Sequence, residues 1–168
     1  RDVNSFYLYD NNNNLYFQGA KNNEWVSLDE ISDYVINATL VVEDKSFYNH
    51  HGFDIKRIIA AVFNNLQKGK IVQGASTITQ QYAKNLYLEF DKTFKRKLSE
   101  LWYTIRIESH YDKDTILEGY LNTINYGHGV YGIENASQFY FNKHAKDLTL
   151  AEASILVNIP KSPSNYSP

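Results

Sequence analysis

Two stretches of this chain concentrate the residue types that act on polar substrates. Glu43-Asp44-Lys45-Ser46-Phe47-Tyr48-Asn49-His50-His51-Gly52 places an acidic pair at the end of an apolar run. Gly74-Ala75-Ser76-Thr77-Ile78-Thr79-Gln80-Gln81 gathers uncharged hydrogen-bonding side chains at a helix start. Neither stretch reads as core, and together they suit a cleft for a polar substrate. Ser76, Thr77, Gln80 and Gln81 match sugar hydroxyls or phosphate oxygens, and the free N–H groups of a helix N-terminus add affinity for anions. Lys84 and Asn85, one turn further, extend the same surface. Residue type alone leaves bland alternatives open: a capped surface helix for the second group, and an exposed helix-end carboxylate for Glu43.

A third group is Arg96, Lys97 and Glu100. On a helix, Arg96, Glu100, Tyr103 and Ile107 fall on the side away from the stripe Phe94, Leu98, Leu101 and Ile105, and a solvated salt bridge explains that pattern equally well. The cations bear on the reaction class. Forming a glycosidic bond from a pyrophosphate donor needs a base for the attacking hydroxyl and positive charge where the diphosphate departs. A glycosidic hydrolase must instead keep one carboxyl protonated beside a second carboxylate. Arg96 and Lys97 beside Glu100 favour its ionised form, which tilts the reading toward transfer.

Around Glu43, Phe47 and His50 return to the same side of a turn or short helix. Asp44 positions Glu43 or neighbouring cations. His50-His51 is no metal site by spacing, because adjacent side chains point apart and supply too few ligands; His50 is expected to brace the Glu43 loop.

These groups need helices to hold them. A capping box, Ser27-x-x-Glu30, precedes Ile31, Val35, Ala38 and Val42, predicting a helix that runs toward Glu43. Asp54 is a good N-cap for a second helix carrying Ile55, Ile58, Ile59, Val62, Phe63 and Leu66. Gly69 and Gly74 bracket a loop; a third helix starts near Ser76 and a fourth near Thr93, with Phe94, Leu98, Leu101, Trp102 and Ile105 on one face. Segments around Ile116–Leu121 and Gly132–Tyr140 precede a last helix, opened by Thr149-x-x-Glu152 and stopped before Pro160. Before Trp25, Phe6-Tyr7-Leu8-Tyr9 and Leu15-Tyr16-Phe17 flank an Asn-rich turn and read as a β-hairpin. Asn14 to Gly19 also resembles an engineered protease site. Tyr87, Leu88 and Phe90 suit either a lipid boundary or core packing. The class expected is mainly α, with a short N-terminal β-hairpin.

At 168 residues the chain suits one domain, able to bury roughly 70% of its unfolded surface. A net charge of −2 and a pI near 6.2 give no basic footprint for a nucleic-acid partner. Cysteine is absent, which excludes disulfides, thiolate metal sites and a Cys nucleophile. Methionine is absent too, so the chain reads as an excised piece, and any signal peptide or membrane anchor would have lain upstream of it. No apolar run reaches the roughly 18 residues needed to span a bilayer.

Five blocks in order carry a resemblance: Glu43 to Gly52; Gly74 to Gln81 with Lys84-Asn85; Arg96-Lys97-x-x-Glu100; Lys113-Asp114-x-Ile116-Leu117-Glu118-x-Tyr120-Leu121-Asn122; and Gly129 to Lys143 with the following Leu-x-x-x-Glu helix. The chain resembles the peptidoglycan glycosyltransferase domain, glycosyltransferase family 51, of penicillin-binding proteins and monofunctional transglycosylases. The resemblance implies a lysozyme-like helical domain over residues 1–168, cut after a membrane anchor and short of the domain's C-terminal end. It implies polymerisation of lipid II, an undecaprenyl-pyrophosphoryl disaccharide-peptide, onto a nascent β-1,4-linked glycan strand at the outer face of the bacterial cell membrane, with undecaprenyl pyrophosphate released. Glu43 is then the general base of an inverting transfer, Arg96 and Lys97 face the pyrophosphate, and Glu100 positions it, directly or through Mg²⁺ or Mn²⁺. No organic cofactor is expected. A downstream transpeptidase domain is a further expectation for the parent chain. The chain departs from the family pattern at Ser46 (Arg is common), Asn142 (Gly is usual), Gly119 (within the usual Glu-Leu-Tyr) and Asn125 (an aromatic is frequent). A lysozyme-like hydrolase or lytic enzyme and a silent glycan-binding module are the competing classes.

Overall fold

The computed structural model describes residues 7–9, 15–18, 24–70, 74–87 and 94–161, with side chains described for 24–70, 74–86 and 97–160. It is mainly helical. Strands β1 (Tyr7–Tyr9) and β2 (Leu15–Gln18) pair antiparallel. The turn between them lies outside the described residues, so the expected hairpin is not established as a whole. Seven α-helices follow among the described residues: α1 (Asp33–Glu43), α2 (Ile55–Lys68), α3 (Ile78–Tyr87), α4 (Phe94–His110), α5 (Lys113–Thr123), α6 (Ile133–Phe141) and α7 (Leu150–Leu156).

Helix α5 is the axle. Ile116, Leu117, Gly119, Tyr120, Leu121, Asn122 and Thr123 are all buried, so it is enclosed on most sides rather than amphipathic. Helix α3 packs against both α4 and α5, and α1 lies against α7. The core joins Val35, Phe47, Ile78, Leu117, Tyr120, Ile133 and Leu156. Asn122 ties the segment entering the helical domain to the axle: its Oδ1 accepts from Val26 N at 3.0 Å and its Nδ2 donates to Val26 O at 2.8 Å. Glu118 adds two bonds, accepting from Trp25 Nε1 and from Leu28 N. The fourth sequence block thus fastens the N-terminal segment to the core.

Local signals set most boundaries. Asp54 caps α2 by accepting from Arg57 N, and Gly69 closes it at φ +61°, where glycine carries no Cβ penalty. The Thr149/Glu152 capping box opens α7. The Ser27/Glu30 box forms too, yet it opens only a 3₁₀ turn, Leu28–Glu30. Ile31 is extended, and α1 starts at Asp33 after a second cap, Ser32. Tertiary bonds explain the break: Ser32 N donates to Ala145 O and its hydroxyl to Leu148 O, drawing the chain out of helical geometry.

Two departures from the family pattern find a conformational reason. Asn142 sits at the C-cap of α6 with φ 52°, a left-handed position that Asn tolerates nearly as well as Gly. Gly119 faces Tyr82: a Cβ there would lie 2.5 Å from Tyr82 Cζ. Its absence lets α3 approach α5. Asn125 shapes the loop after α5, accepting from Gly127 N at 2.8 Å. Ser46 donates to the Asp54 carboxylate.

Two helices present their apolar stripes to solvent. On α2, Ile55, Ile59, Val62, Phe63 and Leu66 are all exposed, and only Ala61 is buried. On α4, Leu98, Trp102 and Ile105 are exposed while Glu100 (4% exposed) and Thr104 (0%) are buried. The solvated salt bridge on α4 is therefore corrected: the polar side of this helix faces inward and its apolar stripe faces out.

Candidate active site

Glu43 is the last residue of α1, and the break after it brings its side chain against α3. Its Oε2 accepts from Gln81 Nε2 at 2.9 Å. Its Oε1 is shielded from solvent and has no hydrogen-bond partner among the described residues. Arg57, on α2, donates to the Glu43 backbone carbonyl, one of the acceptors left open at the end of α1. Glu43 lines a cleft of about 490 Å³ with Val41, Asp44, Lys45, Lys56 and Arg57 among its walls. A carboxylate with one oxygen gripped and the other unpartnered, beside three cations, is equipped to take a proton near a developing negative charge.

Asp44 is almost fully buried and engaged on all sides. Both its oxygens lie 3.0 Å from His50 Nε2, Oδ2 accepts from Ile78 N at 3.1 Å, and Arg57 Nη1 stands 4.0 Å from Oδ1. Asp44 therefore ties the Glu43 turn to the N-terminus of α3. His50 performs the expected bracing through that bond. Phe47 is fully buried in the core rather than open to the cleft, with Lys113 Nζ 4.5 Å from its ring centre.

The second polar group divides. Thr77 is fully buried; its hydroxyl donates to Gly52 O at 2.7 Å and accepts from Gln80 N, while Gln80 Oε1 accepts from Thr77 N at 3.0 Å. This is a reciprocal cap in the Thr-x-x-Gln spacing, and it places these two side chains in the folding of α3. Gln81 turns toward Glu43. Ser76, Lys84 and Asn85 are exposed on the same helix and its approach.

Gln81 has a second partner. The Tyr120 hydroxyl, on α5, donates to Gln81 Oε1 at 3.3 Å. Burial first, and then the charge of Glu43, pushes the Tyr120 phenol well above its ordinary value, so it stays a neutral donor. Residue type alone does not mark Tyr120 as a site residue; its place within the fourth block of the family resemblance is the available signal.

Glu100 is buried on α4 and ion-paired with Lys97, whose side chain is half exposed. The side chain of Arg96 lies outside the described residues, as do those of Tyr87, Leu88 and Phe90. Glu100 is not among the walls of the Glu43 cleft. The connection between them runs through packing: one turn on from Glu100, Thr104 stands where a Cβ on Gly52 would lie 2.7 Å from its methyl, and Gly52 O holds Thr77. Among the described residues no three His, Cys, Asp or Glu side chains converge to hold a metal. The described residues do not form a divalent-cation site on their own.

Comparison with known proteins places this geometry in a lineage. Residues 11–168 match the model of the family described as Transglycosylase. The chain is 62% identical over 144 residues to penicillin-binding protein 2D of Bacillus subtilis (strain 168), covering 86% of this chain and 21% of that protein. It is 53% identical over 149 residues to penicillin-binding protein 1F of the same organism, covering 89% and 21%. It is 46% identical over 162 residues to penicillin-binding protein 1A of Aquifex aeolicus (strain VF5), covering 96% and 22%. The chain thus spans about a fifth of the length of these relatives. The family match takes in every described helix, both sides of the Glu43 cleft included, and the chain belongs to the transglycosylase family.

Proposed function

We propose that this chain is a peptidoglycan glycosyltransferase that polymerises lipid II, with Glu43 as general base. The single observation that carries the reading is Glu43 itself: Oε2 fixed by Gln81, Oε1 sheltered and unpartnered, in a cleft that also holds Lys45, Lys56 and Arg57. Oε1 takes the proton from the 4-hydroxyl of an acceptor GlcNAc as that oxygen attacks the donor's anomeric carbon. The bond to the undecaprenyl pyrophosphate breaks on the opposite face, so the configuration inverts and a β-1,4 linkage forms. Cations stabilise the departing diphosphate: Lys45, Lys56 and Arg57 line the cleft with Glu43, and the family resemblance adds Lys97 and Arg96. The mainly helical architecture supports the lysozyme-like fold implied by the family.

The membrane is the second partner. No helix among the described residues is long and apolar enough to cross a bilayer. Helix α2 carries an exposed apolar stripe with Lys56 and Lys68 beside it, which suits a helix lying in the headgroup layer where a polyprenyl substrate is delivered. The proposed activity puts the chain at the extracytoplasmic face of the cell membrane, and far longer relatives named for penicillin binding support a parent chain with a transpeptidase domain.

Incubating the chain with lipid II tests the reading. Growth of glycan polymer supports it; cleavage of preformed strands, or binding without turnover, overturns it.

A further inference from the structure

We infer that Tyr120, buried on α5 and absent from the cleft walls, is a positioning residue for Glu43 that acts through the Gln81 side-chain amide. This rests on the proposed role of Glu43 as base. The geometry is a directed chain: Tyr120 hydroxyl to Gln81 Oε1 at 3.3 Å, then Gln81 Nε2 to Glu43 Oε2 at 2.9 Å. A primary amide has a donor end and an acceptor end, and which end meets the carboxylate matters. In the observed order every hydrogen points toward Glu43, and the chain terminates on an anion.

In the free chain a proton on Oε1, the sheltered oxygen that takes the acceptor's proton during the reaction, meets no acceptor among the described residues, so the protonated carboxyl carries it on Oε2 and the order reverses, with Glu43 donating to Gln81 Oε1 and Gln81 Nε2 donating to the Tyr120 oxygen. The Tyr120 proton then loses its acceptor. At 1% exposure water does not replace it, and Gln81 Oε1 is the only acceptor for that hydroxyl among the described hydrogen bonds. A buried donor left unpaired is costly. Tyr120 therefore works against the protonated, inactive form of the base, from behind the residue that touches it. The charged groups that face Glu43, Asp44 and Lys45 after α1 and Lys56 and Arg57 on α2, are the same with and without the Tyr120 hydroxyl, so they do not account for a difference between the two chains.

Tyr120→Phe removes that demand while keeping the ring that packs in the core. Two readouts test it. In polymerisation of lipid II, the acidic limb of the kcat/KM profile moves to higher pH by roughly 0.5–1 unit, a loss of about three- to tenfold on the acid side that recovers at higher pH. In the ¹⁵N–¹H spectrum, assigned by its loss in Gln81→Ala, the Gln81 side-chain amide changes its hydrogen-bonded signature at a correspondingly higher pH than in the unaltered chain. The second readout needs no turnover. If the unaltered chain fails to polymerise lipid II, the functional reading falls while the amide titration still decides the link. In a Gln81→Ala background, Tyr120→Phe changes nothing further. A uniform loss of activity at every pH, an unmoved amide titration, or an effect of Tyr120→Phe that persists without Gln81 overturns the inference.

Discussion

Gly119→Ala gives a prediction whose sign opposes the ordinary rule. In a helix interior, replacing Gly by Ala gains about 0.8–1 kcal/mol, because Ala loses less backbone freedom on folding. At position 119 the new methyl meets the Tyr82 ring, with Cζ 2.5 Å away, well inside van der Waals contact. A tyrosine ring does not bend; it must swing about its first side-chain bonds, and Tyr82 packs against the core. Overpacking of this kind costs about 1–3 kcal/mol, so the clash outweighs the propensity gain. A net destabilisation of about 1–2 kcal/mol is expected, read as a lower urea midpoint at unchanged m-value or a fall in Tm of roughly 2–8 °C. The neighbour of Tyr82 is Gln81, so displacement of α3 also lowers transferase activity. In a Tyr82→Ala background the obstacle is gone, and the same Gly119→Ala change becomes stabilising by about 1 kcal/mol. A Gly119→Ala variant that is as stable as the unaltered chain, or one whose effect keeps its sign in both backgrounds, refutes the reasoning.

Thr77→Ala removes both the α3 cap and the buried donor to Gly52 O, and is expected to cost about 1–3 kcal/mol in urea unfolding. Asp44→Ala strips the acceptor from His50, Ile78 N and Arg57 and should cost about 3–5 kcal/mol, measured the same way, with activity lost alongside. Leu66→Glu with Ile59→Glu on the exposed stripe of α2 should leave the melting curve within about 1 kcal/mol of the original and weaken cosedimentation with anionic vesicles. The Glu134–His144 pair gives a pH dependence. Its hydrogen bond to Glu134, then the carboxylate's charge, raise the His144 imidazole above its ordinary value, so its contribution is full below the usual histidine range and is lost as pH rises through the raised value. Burial alone would raise Glu134, but bonds from Ala145 N, Gln138 and His144 outweigh it and hold the carboxyl low; its contribution is full above the usual carboxylate range and fades in acid. His144→Ala should therefore remove the decline on the alkaline side of the Tm–pH curve and leave the acid side falling.

Helix existence was legible in the sequence because caps and apolar spacing are local. Asp54 and Thr149 acted as read, since each capping bond closes within three residues. Ser27 capped a turn instead of a helix because Ala145 and Leu148, more than a hundred residues away, compete for Ser32. Apolar periodicity showed that α2 and α4 have stripes but not which way they face; that depends on neighbours, and both stripes turned outward. Glu43, Gln81 and His50 stand out by residue type and by the order of the blocks, and the structure joins Glu43 to Gln81 and His50 to Asp44. Their division of labour was not. Thr77 and Gln80 stand beside Gln81 in sequence, yet the helix turns them inward while Gln81 meets Glu43. Tyr120 lies 39 positions from Gln81 and reaches it only because Gly119 admits α3.

The central claim is that the Glu43 carboxylate removes the acceptor's proton. Single-turnover polymerisation of lipid II by Glu43→Gln, alongside a melting curve, tests it most directly. The amide keeps the shape and cannot accept that proton as a base, so a loss of roughly 10²–10⁴-fold at unchanged Tm is predicted. Polymerisation by Glu43→Gln at the rate of the unaltered chain contradicts the account.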